Sequence, residues 1–238
     1  MVWILFDLDS TLVLPSEKPV YHGHMAQNPQ YVSLREQMVQ KAVEYGVPAE
    51  EFEEDNRMAL IYNRTREATE RLGVSDEIRE SVMKDLDSLI RAMERQEHRE
   101  AKLMPKAKEV LQALRESGHK IGIVTNTSEE ELLEVLERFS LKDYIDAHVT
   151  RNQVKYIKPH PEPVEKILSS SKATSYWYVG DADHDILASR AASKNLGLAS
   201  VSVLINTRGY DRETIETMNP DHTIDSLEEL IPLLGKKA

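Results

Sequence analysis

Two aspartates one residue apart, Asp7 and Asp9, follow directly on the apolar run Val2-Trp3-Ile4-Leu5-Phe6. Alternation along an extended chain sends both side chains the same way. Adjacent carboxylates repel unless a cation lies between them or one holds a proton. A metal-bound nucleophile beside a proton-transferring partner meets both conditions; the plainer alternative is that the pair caps a turn or a helix start. Three more clusters also follow apolar runs or stiff loops. Thr125-Asn126-Thr127 comes after the run at 121–124 and just ahead of Ser128-Glu129-Glu130-Glu131, which reads as a capping box. A hydroxyl, an amide and free backbone N–H groups at a positive helix end form a cradle for phosphate, although Ser128 is the better candidate for the N-cap itself.

Lys158-Pro159 opens a proline-rich loop, Lys158-Pro159-His160-Pro161-Glu162-Pro163. Proline restricts the residue before it, and an aimed lysine is useful as a point charge for phosphate; a solvated loop lysine is the ordinary alternative. Finally, Gly180-Asp181-Ala182-Asp183-His184-Asp185 follows the run at 176–179. Asp181 ends the strand and Asp185 lies one helical turn on, so both can face one site, whereas Asp183 reads as an N-cap. Oxygen ligands without cysteine favour a hard cation, and magnesium fits best.

These clusters need elements to hold them. The runs at 2–6, 121–124, 176–179 and 201–205 read as buried strands alternating with helices at 106–116, from 128 toward 139 and at 183–195. Such alternation implies a parallel sheet with helices on both faces, with ligands at the carboxyl ends of its strands. Between 14 and 104 no strand is evident. Leu34, Met38 and Ala42 recur at helical spacing before Gly46-Val47-Pro48. A second helix is expected over 49–71, and a third from an N-cap at Ser75 with Ile78, Val82, Leu86, Leu89 and Met93 on one face. The expected architecture is an α/β core of Rossmann-like, doubly wound type at 1–14 and 104–238, with an all-helical cap at 15–103 inserted after the first strand.

Composition narrows the partners. The 238 residues carry a formal net charge of −11, which argues against nucleic acid and anionic membranes. There is no cysteine, so disulfides, thiolate nucleophiles and Cys-based metal sites are excluded. The apolar start is too short for a span and lacks the basic flank of a signal peptide, so a cytoplasmic protein is expected. Oligomeric state is not readable from the sequence.

The ordered set of four motifs resembles the haloacid dehalogenase-like hydrolase superfamily, and the insert is similar to that family's type-1 caps. The resemblance rests on Phe6-Asp7-Leu8-Asp9-Ser10-Thr11, Thr125-Asn126, Lys158-Pro159 and Gly180-Asp181 through Asp185. It implies a magnesium-dependent phosphatase acting on small phosphomonoesters. Asp7 would be the nucleophile that forms an aspartyl-phosphate, and Asp9 the acid and base. Thr125, Asn126 and Lys158 would bind the phosphoryl group. Magnesium would be held by Asp7, the Asp9 carbonyl and Asp181, with Asp185 behind them. The family's dehalogenases lack a second carboxylate at the position of Asp9. Ser10 departs from the pattern, standing where the family usually has glycine. A phosphomutase would use the same residues, and a non-catalytic phosphate-binding module would share the fold. Tyr21, His22 and His24, soon after the nucleophile strand, are candidates to meet substrate. Arg57, Arg64, Arg66, Arg91, Arg95 and Arg99 read as solvated ion pairs of the cap rather than as substrate clamps.

Overall fold

The computed structural model describes residues 2–14, 29–53, 55, 57–169 and 171–235. Tyr21, His22 and His24 lie outside the described residues. The core is a six-stranded sheet in which every pairing is parallel. Its strands are β1 (Trp3–Phe6), β4 (Lys120–Val124), β5 (Ala147–Val149), β6 (Ser175–Gly180), β7 (Ala199–Ile205) and β8 (His222–Ile224), in the order β5-β4-β1-β6-β7-β8. The short strands β5 and β8, at the two edges, are not evident from the sequence pattern. A separate antiparallel pair, β2 (Val13–Leu14) and β3 (Lys102–Leu103), brackets the helical insert. On one face of the sheet Ile4, Phe6, Ile121 and Ile123 pack with Val110, Leu114, Leu132 and Leu136 of α4 (Ala107–Glu116) and α5 (Glu129–Arg138). On the other, Leu5, Tyr176 and Tyr178 pack with Val164, Ile167 and Ala188 of α6 (Glu162–Ser169) and α7 (Asp183–Leu196). Because β1 lies between β4 and β6, residues after those three strands meet at one end of the sheet.

The insert carries α1 (Pro29–Glu44), a 3-10 turn (Ala49–Phe52), α2 (Met58–Arg71) and α3 (Asp76–Arg99) around a core of their own, including Leu34, Met38, Ile61, Val82 and Leu86. The expected helix over 49–71 is therefore broken. Asp55 Oδ1 accepts from the Arg57 backbone N–H (3.0 Å), and Arg57 is extended (φ −61°, ψ 140°) ahead of α2. A side chain that bonds nearby backbone in this way competes with the helical ladder. Ser75 caps α3 as expected, its Oγ accepting from Ile78 N–H, but Ile78 itself is exposed. Among the described residues, no helix is long and apolar enough to cross a membrane.

Ser10 has φ 59°, in the left-handed region that favours glycine, and is buried. Its N–H donates to Val13 O (2.7 Å) and its carbonyl accepts from Thr207 Oγ1 (2.8 Å), so the turn is held despite the side chain. An L-residue there costs roughly 1–2 kcal/mol, partly offset by the greater freedom of glycine in the unfolded chain. Ser10→Gly is expected to raise stability by up to about 1 kcal/mol in urea titrations, and a loss of stability would show that the Ser10 side chain supplies a contact outweighing the strain.

Candidate active site

Asp7 immediately follows β1, and its N–H donates to Val179 O (2.9 Å), which fixes it at the sheet end. Its carboxylate is 5% exposed. Lys158, fully buried, donates from Nζ to Asp7 Oδ1 (2.7 Å) and to Asp185 Oδ1 (2.6 Å). The loop carrying that lysine is anchored by Asn126, whose side-chain amide takes the Lys158 N–H (2.9 Å) and donates to the Lys158 carbonyl (3.0 Å). The sequence placed Asn126 and Lys158 in separate motifs; the fold makes one the brace of the other. Asn63 of α2 makes the same pair of hydrogen bonds with the Ile157 backbone, donating to its carbonyl (2.8 Å) and accepting from its N–H (2.9 Å), and Ile157 is buried in the core of the insert. Both sides of the Lys158 loop are thus held, one by the core and one by the helices.

Asp185, in the first turn of α7, accepts from the backbone N–H groups of Asp181 (3.1 Å) and Ala182 (3.2 Å) through Oδ2. Gly180 makes that approach possible, since a Cβ there would lie 2.4 Å from the Asp185 carboxyl. Asp183 was expected as an N-cap, but Ala182 occupies that position and Asp183 instead takes Arg57 Nη1 (2.6 Å). Asp181 is fully buried; Oδ2 takes the Arg208 guanidinium, while Oδ1 has no hydrogen-bond partner among the described residues. Ligand atoms of Asp7, His184 and Asp185 lie within 4.8 Å of one another.

Electrostatically the end of the sheet is short of positive charge. Burial pushes the Asp7 carboxyl well above the ordinary carboxylate range; Lys158 pulls it down, while Asp185, Asp181 and Asp9 push it further up. Asp181 is also raised, by burial first, against the pull of Arg208. Asp185 is lowered, because Lys158 and its other partners outweigh burial. Burial lowers His184, which favours the neutral imidazole. An unpartnered buried carboxylate oxygen beside raised carboxyls is the donor chemistry that a hard dication fits.

Asp9 is held apart from this cluster. Its Oδ1 lies 2.7 Å from His98 Nε2, and Oδ2 accepts from Thr127 Oγ1 (2.7 Å). Burial would raise Asp9, but His98 and Thr127 outweigh it and lower the carboxyl. Burial would likewise lower His98, yet Asp9, Glu94 and Glu131 hold it up to about 9, so at neutral pH it donates. Thr125 is buried and its Oγ1 accepts from Thr127 N–H (3.1 Å). Ser128 caps α5 as expected, but the capping box is not reciprocal: Ser128 N–H donates to Glu94 Oε2 (3.3 Å).

Thr127, His98, His184 and Arg208 were not singled out for this site from the sequence. His98 did leave a signal. Val82, Leu86, Ile90, Glu94 and His98 follow at intervals of four along α3, and all five are buried. Two ionisable residues ending an apolar ridge mark a polar contact waiting for a partner.

The model of haloacid dehalogenase-like hydrolases matches residues 4–199. A pyrophosphatase, PpaX, of Bacillus mycoides (strain KBAB4) is 34% identical over 130 residues, 54% of this chain and 58% of that protein. The chain thus spans little more than half the length of the curated relatives it matches. Two solved structures share the fold across nearly the full length. One is a hydrolase from Pseudomonas syringae (TM-score 0.60, 20% identity, 100% of both chains). The other, from Haemophilus somnus 129pt, is described as a predicted phosphoglycolate phosphatase (TM-score 0.57, 19% identity, 98% and 97% covered). With the family matched over 4–199 and the ends of the adjacent strands β4, β1 and β6 carrying Thr125, Asp7 and Asp181, the chain belongs to the haloacid dehalogenase-like hydrolases.

Proposed function

We propose that this hydrolase is a magnesium-dependent phosphatase of small phosphomonoesters, acting through a phosphoryl group carried on Asp7. The supporting observation is the division of labour between two carboxylates. Asp7 is buried against Lys158, where a phosphoryl group would meet a cation, whereas Asp9 is bonded separately and its side chain is 36% exposed. A nucleophile must face phosphorus, and an acid–base must reach the leaving oxygen and then water. In its protonated form Asp9 gives its proton to the departing ester oxygen as Asp7 attacks phosphorus, and it takes one back from the water that opens the acyl phosphate; the lowered carboxyl at rest suits the second, base half of this role. Lys158, Thr125 and the backbone near Asn126 steady the transferring oxygens. Asp7, the Asp9 carbonyl and Asp181 would hold the metal, backed by Asp185. When bound, the cation offsets the repulsion between Asp7 and the phosphate anion. The active site belongs to a core at 1–14 and 104–238, and the segment 15–103 acts as its cap. A pyrophosphate offers the same terminal phosphoryl group, so it belongs beside phosphomonoesters in any substrate panel.

Phosphate release from such a panel tests the proposal. EDTA is expected to abolish it, magnesium to restore it and calcium to restore it poorly, because calcium accepts higher coordination and both oxygens of a carboxylate. Undiminished turnover in EDTA would refute the metal assignment.

A further inference from the structure

We infer that His98, contributed by the last turn of α3, is a positioning residue for Asp9 and acts on the water step; this rests on the phosphatase reading above. A carboxylate in a turn has free side-chain rotors, and a base works only when held within hydrogen-bond reach of its proton. Asp9 is fixed at both oxygens, by Thr127 from the core and by His98 from the insert. His98 is itself held. It is 4% exposed, and its carbonyl accepts from Arg138 Nη1 (2.5 Å) and from Ala101 N–H (3.2 Å).

A third observation joins these. Glu131, at the position where a reciprocal capping box would turn it back toward Ser128, is 1% exposed and lies with Oε2 3.6 Å from His98 Nδ1. Arg95 Nε donates to its Oε1 (3.3 Å). Its neighbour Glu94 supplies the bond to Ser128 N–H instead. A stabilising local bond at the start of α5 is exchanged for a carboxylate behind the imidazole, so that Glu131, His98 and Asp9 form a line from core to insert and back to core. At 3.6 Å the approach of Glu131 is a charge contact and not a hydrogen bond, and His98 Nδ1 has no hydrogen-bond partner among the described residues; Glu131 attracts the imidazole from behind while Nε2 faces Asp9. The insert therefore does more than cover the site: it sets where the acid–base stands, and its docking is read out at Asp9.

Two substitutions of equal polarity and different reach test this. Glutamine places its amide nitrogen near the position of Nε2; asparagine stops near Nδ1, short of Asp9. With p-nitrophenyl phosphate, whose leaving group scarcely needs an acid, the nitrophenol burst of both variants is expected to stay within about twofold of the parent chain. In His98→Asn the loss of phosphoryl label from Asp7 is expected to slow about tenfold or more, lowering kcat and KM together; His98→Gln is expected to stay within about threefold. Equal effects of the two variants, no effect of either, or a burst that falls in step with turnover would overturn the inference. The underlying reading fails separately. If Asp9→Asn never carries label on Asp7, the covalent route itself is wrong. If it does and His98→Asn hydrolyses normally, only the role of His98 is wrong.

Discussion

Asp9→Asn is expected to give one rapid, enzyme-stoichiometric release of nitrophenol from p-nitrophenyl phosphate, followed by turnover slowed about 10²–10⁴-fold. The two roles assigned to Asp9 fall in different half-reactions, and an aryl leaving group separates them. Nitrophenolate departs as a stable anion, so Asp7 can be phosphorylated without an acid. Water attacking the acyl phosphate still needs a base. Asparagine keeps the size of the side chain and an oxygen for Thr127 Oγ1, and its amide can donate to His98 once the imidazole, no longer facing a carboxylate, gives up its Nε2 proton, so the placement of the side chain is kept while basicity is lost. The phosphoryl group should then persist on Asp7 long enough for intact-mass detection after acid quench. Asp7→Asn should show neither burst nor label. Wild-type turnover by Asp9→Asn would remove Asp9 from the water step. Product without label would favour direct attack by water over the covalent route.

The parts of this site that the sequence announces are those that strands deliver. Asp7, Thr125 and Asp181 follow β1, β4 and β6, so a short apolar run followed by a polar residue is enough to find them. Their meeting point follows from a parallel sheet with β1 between β4 and β6. The parts that stay hidden depend on how the insert lies against the core. Thr127 reads as one more hydroxyl near a cap until His98 arrives at the other oxygen of Asp9. Arg57, Arg91 and Arg95 are exposed ion pairs as expected, Arg57 with Asp55 and Arg91 with Asp87, but together they also reach Asp183, Glu130 and Glu131 outside the insert, which local spacing does not announce. Arg208 sits in the loop after β7, and no local pattern says that its guanidinium returns to Asp181. Periodicity reports which face of a helix is buried, not which surface buries it. The break between the 3-10 turn and α2 has a different origin, a side-chain bond over two residues that competes with helix at short range.

Arg151 is expected to be the costliest single loss outside the reacting groups. It is 1% exposed and follows β5, yet its guanidinium is consumed by α3: Nε donates to Asp87 Oδ1 (2.8 Å), and Nη1 and Nη2 donate to the two oxygens of Glu94 (2.6 and 3.1 Å). It also donates to the carbonyl of Asn126, the residue that braces the Lys158 loop. Burial would lower the guanidinium pKa, but Glu94 and Asp87 raise it, so the group stays charged throughout. A buried ion pair contributes little net stability, because desolvation offsets most of the attraction. Removing one partner is different, since it strands the other charge. Arg151→Met should therefore cost about 3–5 kcal/mol, with most of the deficit at Glu94, because Asp87 keeps Arg91 (3.1 Å) and Asn152 (3.0 Å). For a chain of this size that corresponds to roughly 6–20 °C in melting temperature. Adding Glu94→Met to Arg151→Met should recover much of the loss, because it removes the stranded carboxylate and leaves apolar volume in its place. If the double variant is as unstable as Arg151→Met alone, packing of the guanidinium and its bond to Asn126, rather than charge pairing, carries the contribution of Arg151. Phosphatase activity should not recover in the double variant, since the Asn126 carbonyl then loses its bond to Arg151 and, among the described residues, only Asn152, through Asp87, still ties α3 to the loop after β5. Recovery of stability without recovery of activity is the result that would tie the docking of the insert to the phosphate cradle; recovery of both would reduce Arg151 to a structural ion pair.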